Sequence, residues 1–481
     1  MEQTKAMNKW AVLMVVVVST FMSTLDSSIV NVALPNMARS LGVGTSRIQL
    51  VALSYLIVIS GMVLIFGRLG DMIGKSRTFR YGLLVFSLGS LLCGISYSFV
   101  FLIFSRIVQA VGAAAMMANN QGIIAEVFPP TERGKALGLS GTSVALGSLV
   151  GPGLGGIIVG VARWEYIFLI NVPIGIAAYF FACRLLPKGK RVSGEKMDGL
   201  GALLLLLSII PLFTALSEGL NRGFTDSLIL CGFGVSVVSF FLFIQLERHR
   251  EHPLIRLEIF QNRLFSLSIF CSFLTFVAMF CSNIILPFYL QDVMSYSPQQ
   301  AGLVLMIYPV ILMVAAPFGG HLSDKIGSEV LTVIGLSLAS AGLFGMGTLN
   351  RSSSLLHLVL FIAVMAIGMG LFQSPNTSLI MSTVPKSKLG IAGSVNALVR
   401  NLGMVSGIAL ATTVLYSMMS LKLAYKVSDY TAGQDQAFIY GMHVVYVIAG
   451  GISLLGAILT LFRFLGREGL KTEAYAKIQN S

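Results

Sequence analysis

The sequence predicts an all-α membrane protein with fourteen transmembrane helices: two six-helix bundles and a central extra helix pair between them. Of 481 residues, 55% are hydrophobic and only 11% are charged, whereas a soluble domain carries about 25% charged residues. Apolar stretches of about 20 residues, the length that crosses a bilayer, recur along the whole chain. An eight-residue motif also occurs twice, which indicates two related halves.

The predicted spans follow the apolar stretches in chain order. The first six lie near 10–34, 48–69, 78–98, 101–125, 136–160 and 165–186. The extra pair lies near 199–217 and 226–246, and the last six lie near 264–290, 300–321, 329–349, 354–380, 391–419 and 438–463. We therefore divide the chain into an N-terminal bundle (1–190), the helix pair (191–247), a cytoplasmic linker (248–263), a C-terminal bundle (264–465) and a cytoplasmic tail (466–481).

The distribution of basic residues predicts the orientation. With the N-terminus inside, 24 of the 33 Lys and Arg residues fall in inside segments and 7 in outside segments. Basic loops stay cytoplasmic, so both termini are expected in the cytoplasm of a multi-pass protein of the cell membrane. The net charge of +13 is then a topology signal beside anionic lipids, and no nucleic-acid partner is expected.

Several function classes are excluded by missing patterns. The five cysteines lie in or beside apolar segments and form no C-x-x-C pair, so neither a disulfide framework nor a metal site is expected. The sequence has no phosphate-binding G-x-x-x-x-G-K-[ST] loop and no recognisable spacing of a nucleophile and a base. We therefore expect no cofactor and no enzymatic activity.

Two opposite charges inside the first bundle are the main candidate site. Asp26 lies in span 1, and ionisable residues within a membrane are rare, face the bundle interior and are usually functional. Arg106 lies in span 4 at a compatible depth, so a contact is expected if these helices are neighbours. The pair could bind and release protons, or it could be a static structural pair. Arg400 in span 13 is equally open to a functional role and to snorkelling.

A second motif is a run of glycines in span 5. Gly147, Gly151, Gly155 and Gly156 surround Pro152. Glycines at every fourth position allow another helix to approach closely, and the proline removes a backbone hydrogen bond. A dimerisation face is one interpretation. The number of glycines around the proline exceeds what such a face requires, which favours a bend in span 5 where it contacts a helix that moves.

The repeated motif predicts a cytoplasmic turn. Gly67 to Gly74 and Gly320 to Gly327 share five of eight positions. The glycines permit a tight turn, and Asp71 could accept hydrogen bonds or pair with Arg133 to latch the inner face. Asp324 is expected to act in the same way in the second copy. A simple helix-capping role would explain the two aspartates, but it would not explain why the whole eight-residue motif occurs twice.

Polar residues within the spans are candidates for a substrate-lining set. Each could instead be a satisfied bridge between helices. With Asp26, the set comprises Asn31, Gln109, Asn119, Asn283, Gln373 and Asn376.

These motifs together resemble the fourteen-helix drug:proton antiporters of the major facilitator superfamily, the EmrB/QacA type. The resemblance is carried by Leu25 to Pro35, Gly67 to Arg77, the set Leu102, Arg106, Gln109 and Gly112, and Gly147 to Gly156. It implies two bundles around a central cavity, alternating access, and proton-coupled multidrug export of the kind that gives antibiotic resistance. Asp26 and Arg106 would couple protons and face the substrate, and Asp71 with Arg133 would gate the cytoplasmic side.

The expected partners are therefore a small amphipathic substrate, protons and membrane lipids, and the protein is expected to be a monomer. Span 10 has no acid, unlike exporters of divalent organic cations, so export of dications is not expected. A lipid or glycolipid flippase on the same scaffold and a non-transporting membrane sensor are the alternatives.

Overall fold

A computed structural model describes residues 8–187, 197–250, 253–255, 257–384, 389–427, 430 and 433–479. The first part of this structure contains ten helices: α1 (Lys9–Leu41), α2 (Thr45–Ile48), α3 (Leu50–Ile73), α4 (Lys75–Gly94), α5 (Phe99–Val127), α6 (Pro130–Val161), α7 (Tyr166–Leu169), α8 (Asn171–Leu185), α9 (Gly199–Arg222) and α10 (Ser227–His249). The second part contains α11 (Arg263–Phe288), α12 (Pro298–Leu305), α13 (Ile307–Ile326), α14 (Ser328–Met346), α15 (Leu355–Ser382), α16 (Leu389–Leu423) and α17 (Asp435–Gln479).

The helices confirm the predicted fold class. Within the described residues, thirteen helical segments are long and apolar enough to cross a membrane. The fourteenth predicted span is α4, a helix of 20 residues that is less apolar because Lys75, Arg77 and Arg80 occupy its first turns. The short helices α2, α7 and α12 each lead into a longer helix, so fourteen spans are formed from seventeen helices.

The chain divides into two compact units. The first unit comprises Met1–Arg256, Asn283–Met306 and Met419–Gln434, and the second comprises Leu257–Ser282, Ile307–Met418 and Asp435–Ser481. The extra pair, α9 and α10, belongs to the first unit by this division. Helix α9 of this pair packs closely on α3. A Cβ atom added at Gly61 of α3 would lie only 2.7 Å from the side chain of Leu206 on α9.

Both copies of the repeated motif form the same backbone turn. Gly74 has a φ of 104° and Gly327 a φ of 92°, and each precedes the first residue of a helix. Side chains other than glycine rarely adopt this conformation. The structure therefore gives a physical reason for the last glycine in each copy.

Helix α6 carries the glycine motif and packs on two neighbours within the first unit. Gly147 and Gly155 face α1. A Cβ atom added at Gly147 would lie 2.9 Å from the carbonyl oxygen of Phe21, and one added at Gly155 would lie 3.0 Å from that of Ile29. Gly156 faces α12, and a Cβ atom there would lie 2.5 Å from the carbonyl oxygen of Pro298. The helix continues without interruption through Pro152.

A hydrogen bond fixes the contact between α1 and α6. The hydroxyl of Ser28 donates to the carbonyl of Gly147 at 3.0 Å. A Cβ atom at Gly151 would overlap that same hydroxyl oxygen. The glycine spacing therefore permits both close packing and a polar contact between the two backbones.

The second unit uses the same kind of seam. Gly403 and Gly407 of α16 face α11. A Cβ atom added at Gly403 would lie 2.8 Å from the carbonyl oxygen of Phe273, and one added at Gly407 would overlap the carbonyl oxygen of Val277. If the halves are aligned by their spans, α11 corresponds to α1 and α16 corresponds to α6. Each unit thus joins its first and fifth spans through glycines, as expected for a duplicated six-helix unit.

We expect Gly151→Ala to destabilise the protein, because the new methyl group has no room beside Ser28. Overpacking of this kind costs about 1–3 kcal/mol. Thermal unfolding of the detergent-purified protein would measure the loss as a lower midpoint.

Gly138→Ala is the matched control on the same helix. No atom lies within 4 Å of a Cβ atom at Gly138, and alanine is a better helix former than glycine by about 1 kcal/mol. Its midpoint should stay equal or rise. Equal midpoints for the two variants would contradict the tight seam between α1 and α6.

Candidate functional site

The two predicted intramembrane charges form a direct ion pair. Nη1 of Arg106 on α5 lies 2.6 Å from Oδ2 of Asp26 on α1. The side chain of Asp26 is 0% exposed and that of Arg106 is 1% exposed. The guanidinium also donates from Nε to the carbonyl of Val51 on α3 at 3.1 Å. The pair therefore ties three helices of the first unit together.

Two amides complete the surroundings of the carboxylate. Nε2 of Gln109 donates to Oδ1 of Asp26 at 2.8 Å, and Nδ2 of Asn171 donates to the same oxygen at 2.9 Å. Gln109 also accepts from Nη1 of Arg106 at 2.6 Å and is 2.8 Å from the hydroxyl of Ser90. Asn171 is on α8 and Ser90 is on α4. Three helices thus meet at the carboxyl group, and α3 and α4 contact its partners Arg106 and Gln109.

Aromatic rings enclose the cationic side of the pair. The guanidinium carbon of Arg106 lies 4.2 Å from the ring centroid of Tyr55 and 5.4 Å from that of Phe168. Cations over aromatic faces are stabilised by the ring quadrupole, more so where water is excluded. These rings keep the arginine desolvated while its Nη1 donates to Asp26 and its Nε donates to the carbonyl of Val51.

This arrangement makes the charge of Asp26 control the bonding between helices. As a carboxylate, Asp26 accepts one charge-assisted bond and two amide bonds, and such bonds are the stronger ones in proteins. A proton on the carboxyl group would cancel the attraction to Arg106 and remove one acceptor. Breaking a buried ion pair by neutralising one partner costs about 3–5 kcal/mol. Protonation would therefore favour rearrangement of α1 against α5 and α8.

In this structure Asp26 has no access to solvent, and the role of direct substrate contact stays a prediction. All four groups around the carboxyl are buried: Arg106, Gln109, Asn171 and Ser90. Gln109, also predicted to line the substrate path, is fully engaged within the cluster. A substrate or water could reach Asp26 only after the cluster opens.

Two other predicted substrate residues are brought together nearer the surface of the first unit. Nδ2 of Asn31 donates to Oδ1 of Asn283 at 2.5 Å. Asn31 lies five residues after Asp26 on α1, about 7.5 Å further along the helix axis. Asn283 is exposed and Asn31 is partly exposed. This amide pair is the part of the predicted set that a ligand can reach in the first unit.

A neighbouring glutamine extends this amide pair into a short network. Nε2 of Gln291 donates to the carbonyl of Val32 at 2.9 Å, and Oε1 of Gln291 accepts from Asn36 at 3.2 Å. The segment containing Asn283 and Gln291 is thereby attached to α1 by side-chain amides that water could replace.

The remaining polar candidates are mostly buried bridges. Nδ2 of Asn119 donates to the carbonyls of Phe66 at 3.2 Å and Ala115 at 2.9 Å. In the second unit, Nδ2 of Asn376 donates to the carbonyl of Ser268 at 3.1 Å. Gln373 is partly exposed one turn before Asn376. For Asn119 and Asn376 the geometry fits the bridging interpretation; their contact with substrate stays a prediction.

The charged side chains at the junction of α3 and α4 are paired differently from the expectation. Asp71 lies 3.2 Å from Nζ of Lys75, which also lies 3.3 Å from Glu126. Nε of Arg133 instead donates to the carbonyl of Phe128 at 3.0 Å. The expected ion pair between Asp71 and Arg133 is therefore not formed here, because Lys75 is closer in the chain and already bridges α3, α4 and α5. A gating role for these residues stays a prediction.

The turn expected at Gly67 is not formed, because Gly67 lies within α3. No atom lies within 4 Å of an added Cβ atom at Gly67, so close packing does not explain this glycine. The side chain of Asp324, expected to act in the second copy, lies outside the part of the chain that the structure describes.

Sequence reasoning missed one partner of the carboxylate, Asn171, and one partner of Gln109, Ser90. Asn171 is a polar residue at the start of an apolar span, which is the same signal that singled out Gln109. Ser90 carried no such signal, because hydroxyl residues are common in membrane helices and usually bond to their own backbone. Ser90 does so as well, donating to the carbonyl of Phe86 at 2.9 Å.

The fold and the buried site together define a class: a helical, multi-pass membrane transporter with an ionisable cluster inside its first unit. The sequence profile of the Major Facilitator Superfamily matches residues 16–408 and 269–477. The chain therefore belongs to the Major Facilitator Superfamily. Membership and the transporters among its relatives indicate a transporter and not an enzyme.

Relatives with assigned names support this class. The chain is 36% identical to the riboflavin transporter RibZ of Clostridioides difficile over 457 residues, covering 94% of this chain and 97% of the relative. It is 30% identical to the multidrug resistance protein Stp of Mycobacterium tuberculosis over 404 residues, covering 84% of this chain and 75% of the relative.

A solved structure shares the fold at low sequence identity. The bacterial homologue of the human lysosomal transporter Spinster, in an inward-facing and unoccupied conformation, superimposes with a TM-score of 0.64. The identity is 14%, and the match covers 94% of this chain and 98% of that chain. This likeness shows the fold alone.

We expect Arg106→Gln to destabilise the protein strongly, because it leaves the carboxylate of Asp26 buried without a cation. The loss should be about 3–5 kcal/mol, measured as a lower thermal midpoint or a smaller monodisperse fraction after purification in detergent.

The double variant Asp26→Asn with Arg106→Gln is the control for charge. It removes both charges, so it should be more stable than Arg106→Gln alone. A double variant less stable than either single variant would contradict an ion pair as the main interaction at this position.

Proposed function

We propose that the protein is a proton-coupled exporter of small amphipathic compounds, an antiporter that works by alternating access in the fourteen-helix multidrug branch. The observation that carries the proposal is the buried pair of Asp26 and Arg106. A single carboxylate whose hydrogen bonds hold several helices is a suitable proton acceptor for a conformational cycle, because its protonation weakens those bonds.

The proposed coupling begins with opening of the cluster. When water reaches Asp26 from the outer side, a proton neutralises the carboxyl group and frees the guanidinium of Arg106. The amides of Gln109 and Asn171 lose part of their attraction to Asp26, so α1 can move. Loss of the proton toward the cytoplasm would restore the ion pair. One charge moving inward contributes about 2.3 kcal/mol per 100 mV.

The packing of α6 supports antiport. Helix α6 packs closely against α1 on one face and against α12 on another. This close packing leaves little space between the helices through which protons or ions could leak. Movement of α1 after protonation would therefore be transmitted to α6 and α12. Relatives named as multidrug resistance proteins support a broad range of small substrates.

The exposed amides of Asn31 and Asn283, with Gln373 and Asn376 of the second unit, are proposed to contact the substrate. We propose further that the protein is a monomer in the cell membrane, with both termini in the cytoplasm and with protons, lipids and the substrate as its partners. Asp71, Arg133 and Asp324 are proposed to gate the cytoplasmic side.

Substrate-induced proton release tests the proposal. Addition of a panel of amphipathic dyes and drugs to weakly buffered, detergent-purified protein should release protons with those compounds that are transported, which a pH-sensitive fluorophore detects. Asp26→Asn should abolish the release, because the amide carries no exchangeable carboxyl proton.

Asp226→Asn is the matched control. Asp226 caps α10 through the amide of Leu228 at 2.9 Å, and asparagine caps helices equally well. Its proton release should equal that of the wild type. Release that persists in Asp26→Asn would remove Asp26 from the coupling step, and no release by any protein across a broad panel of compounds would overturn antiport.

Transport of riboflavin is a second candidate function. It is favoured by 36% identity to the riboflavin transporter of Clostridioides difficile across 97% of that protein. The flavin is itself a small amphipathic compound, so the two candidates differ in selectivity rather than in mechanism.

Vesicles containing the purified protein distinguish these candidates. Saturable riboflavin flux with little dye flux would support a dedicated flavin carrier, whereas dye flux without riboflavin flux would support the multidrug function. Exposure of a labelled lipid headgroup, without flux of either compound, would support the flippase alternative. Absence of all three activities would contradict transport by the isolated protein.

A further inference from the structure

Arg400 is an ionisable residue in the middle of a span that the proposed function does not use. It lies eleven residues after the start of α16, about 16 Å along the helix axis. Its side chain is partly exposed, but its Nε atom is buried and has no hydrogen-bond partner. An arginine inside a membrane protein is normally paired or directed at a functional cavity.

The face of α16 that carries Arg400 is turned toward protein and not toward lipid. Asn396, Arg400, Gly403 and Gly407 recur at helical spacing and therefore share one face. The two glycines of this face contact α11 closely. The parallel register of the two helices places Arg400 opposite the turn of α11 that precedes Phe273. Snorkelling into headgroups is therefore a poor explanation.

The sequence supplies no carboxylate to neutralise Arg400 at this depth. No Asp or Glu occurs between Glu258 and Asp292, which covers the unit's share of α11, or between Glu329 and Asp429, which covers α14 to α16. Asp324 lies two residues, about 3 Å, from the end of α13. Arg400 lies about 16 Å from the start of α16, so the two residues differ in depth along their helices by about 13 Å. Arg400 therefore has no carboxylate at its own depth in α11, α13, α14, α15 or α16.

Further polar atoms near Arg400 are unpartnered. Nδ2 of Asn401, a buried donor at the next position, has no hydrogen-bond partner, and neither has Oδ1 of Asn396, one turn before. A buried unpaired donor costs about 1–3 kcal/mol, and more when it is charged. Such a cost is offset if the donors bind a ligand during part of the transport cycle.

We propose that Arg400 binds an anionic oxygen group of the transported compound, a carboxylate or a phosphate. The guanidinium presents paired donors that match the geometry of these groups. The inference rests on the proposed export function and deepens it, since it makes the preferred substrate an amphipathic anion. Arg400 adds a positive charge inside the second unit.

Two xanthene dyes of matched shape and opposite charge provide the test. Carboxyfluorescein is anionic and tetramethylrosamine is cationic, and fluorescence anisotropy reports the binding of each to the purified full chain in phosphatidylcholine nanodiscs. The wild type should bind the anionic dye more tightly. Arg400→Gln should weaken that binding by about tenfold to a hundredfold, the loss of one charged hydrogen-bonding group, and should leave the cationic dye bound equally or more tightly.

Two further variants separate the contact from general effects. Arg400→Lys keeps the charge but loses the paired donors, so it should fall between the wild type and Arg400→Gln. Arg248→Gln removes one positive charge from an exposed position at the end of α10 and should bind both dyes as the wild type does. If Arg400→Gln does not fold, the dye preference of the wild type and the Arg400→Lys variant still decide the question.

A lipid headgroup is a second source of the same anionic chemistry. Nanodiscs that contain phosphatidylglycerol distinguish the sources: competition with carboxyfluorescein would identify a lipid phosphate as an occupant, and no competition would favour a soluble compound. Either result supports an anion site at Arg400.

The proposal is overturned if the wild type does not bind the anionic dye, if it prefers the cationic dye, or if Arg400→Gln weakens both dyes equally. These outcomes are independent of the antiport test. Binding needs no proton gradient, so a failure of proton release at Asp26 would leave a charge-selective site at Arg400 intact, and the reverse also holds.

Discussion

The ion pair between Asp26 and Arg106 is the interaction on which the first unit depends. Neither charge is stable in an apolar interior without the other, and the amides of Gln109 and Asn171 occupy the remaining acceptor positions of the carboxylate. These bonds hold α1, α5 and α8 in one arrangement. Because all three end on the carboxyl group of Asp26, a single proton can weaken contacts that involve three helices at once.

Glycine seams provide the complementary constraint. In a bilayer, helices gain little from burying apolar surface against each other, so close backbone packing and polar contacts decide which helices stay together. The seams between α1 and α6 and between α11 and α16 join corresponding helices in the two units. In the first unit, the cluster around Asp26 depends on charge, whereas the glycine contacts between α1 and α6 do not. Helices α1 and α6 could therefore stay together when protonation weakens the cluster.

The two units differ in their electrostatics although they share this packing. The first unit contains a balanced pair, whereas the second contains Arg400 without a carboxylate in the neighbouring spans. Duplication accounts for the shared helix pairings and the repeated glycine turns at Gly74 and Gly327. The charges are not duplicated, so they distinguish the two units. In the first unit the ion pair of Asp26 and Arg106 holds helices together, and in the second unit Arg400 presents a cation.

The helices and the family could be predicted from the amino-acid sequence, because hydropathy over about 20 residues and glycine spacing are local properties of the chain. The sequence also singled out Asp26 and Arg106, since the cost of a charge in a membrane is local as well. The partners became visible only in the folded chain: Asn171 beside the carboxylate, Ser90 beside Gln109, α12 on the second face of α6, and Lys75 in place of Arg133 beside Asp71. These contacts join residues up to 145 positions apart, and hydropathy and helical period contain no information on which helix faces meet.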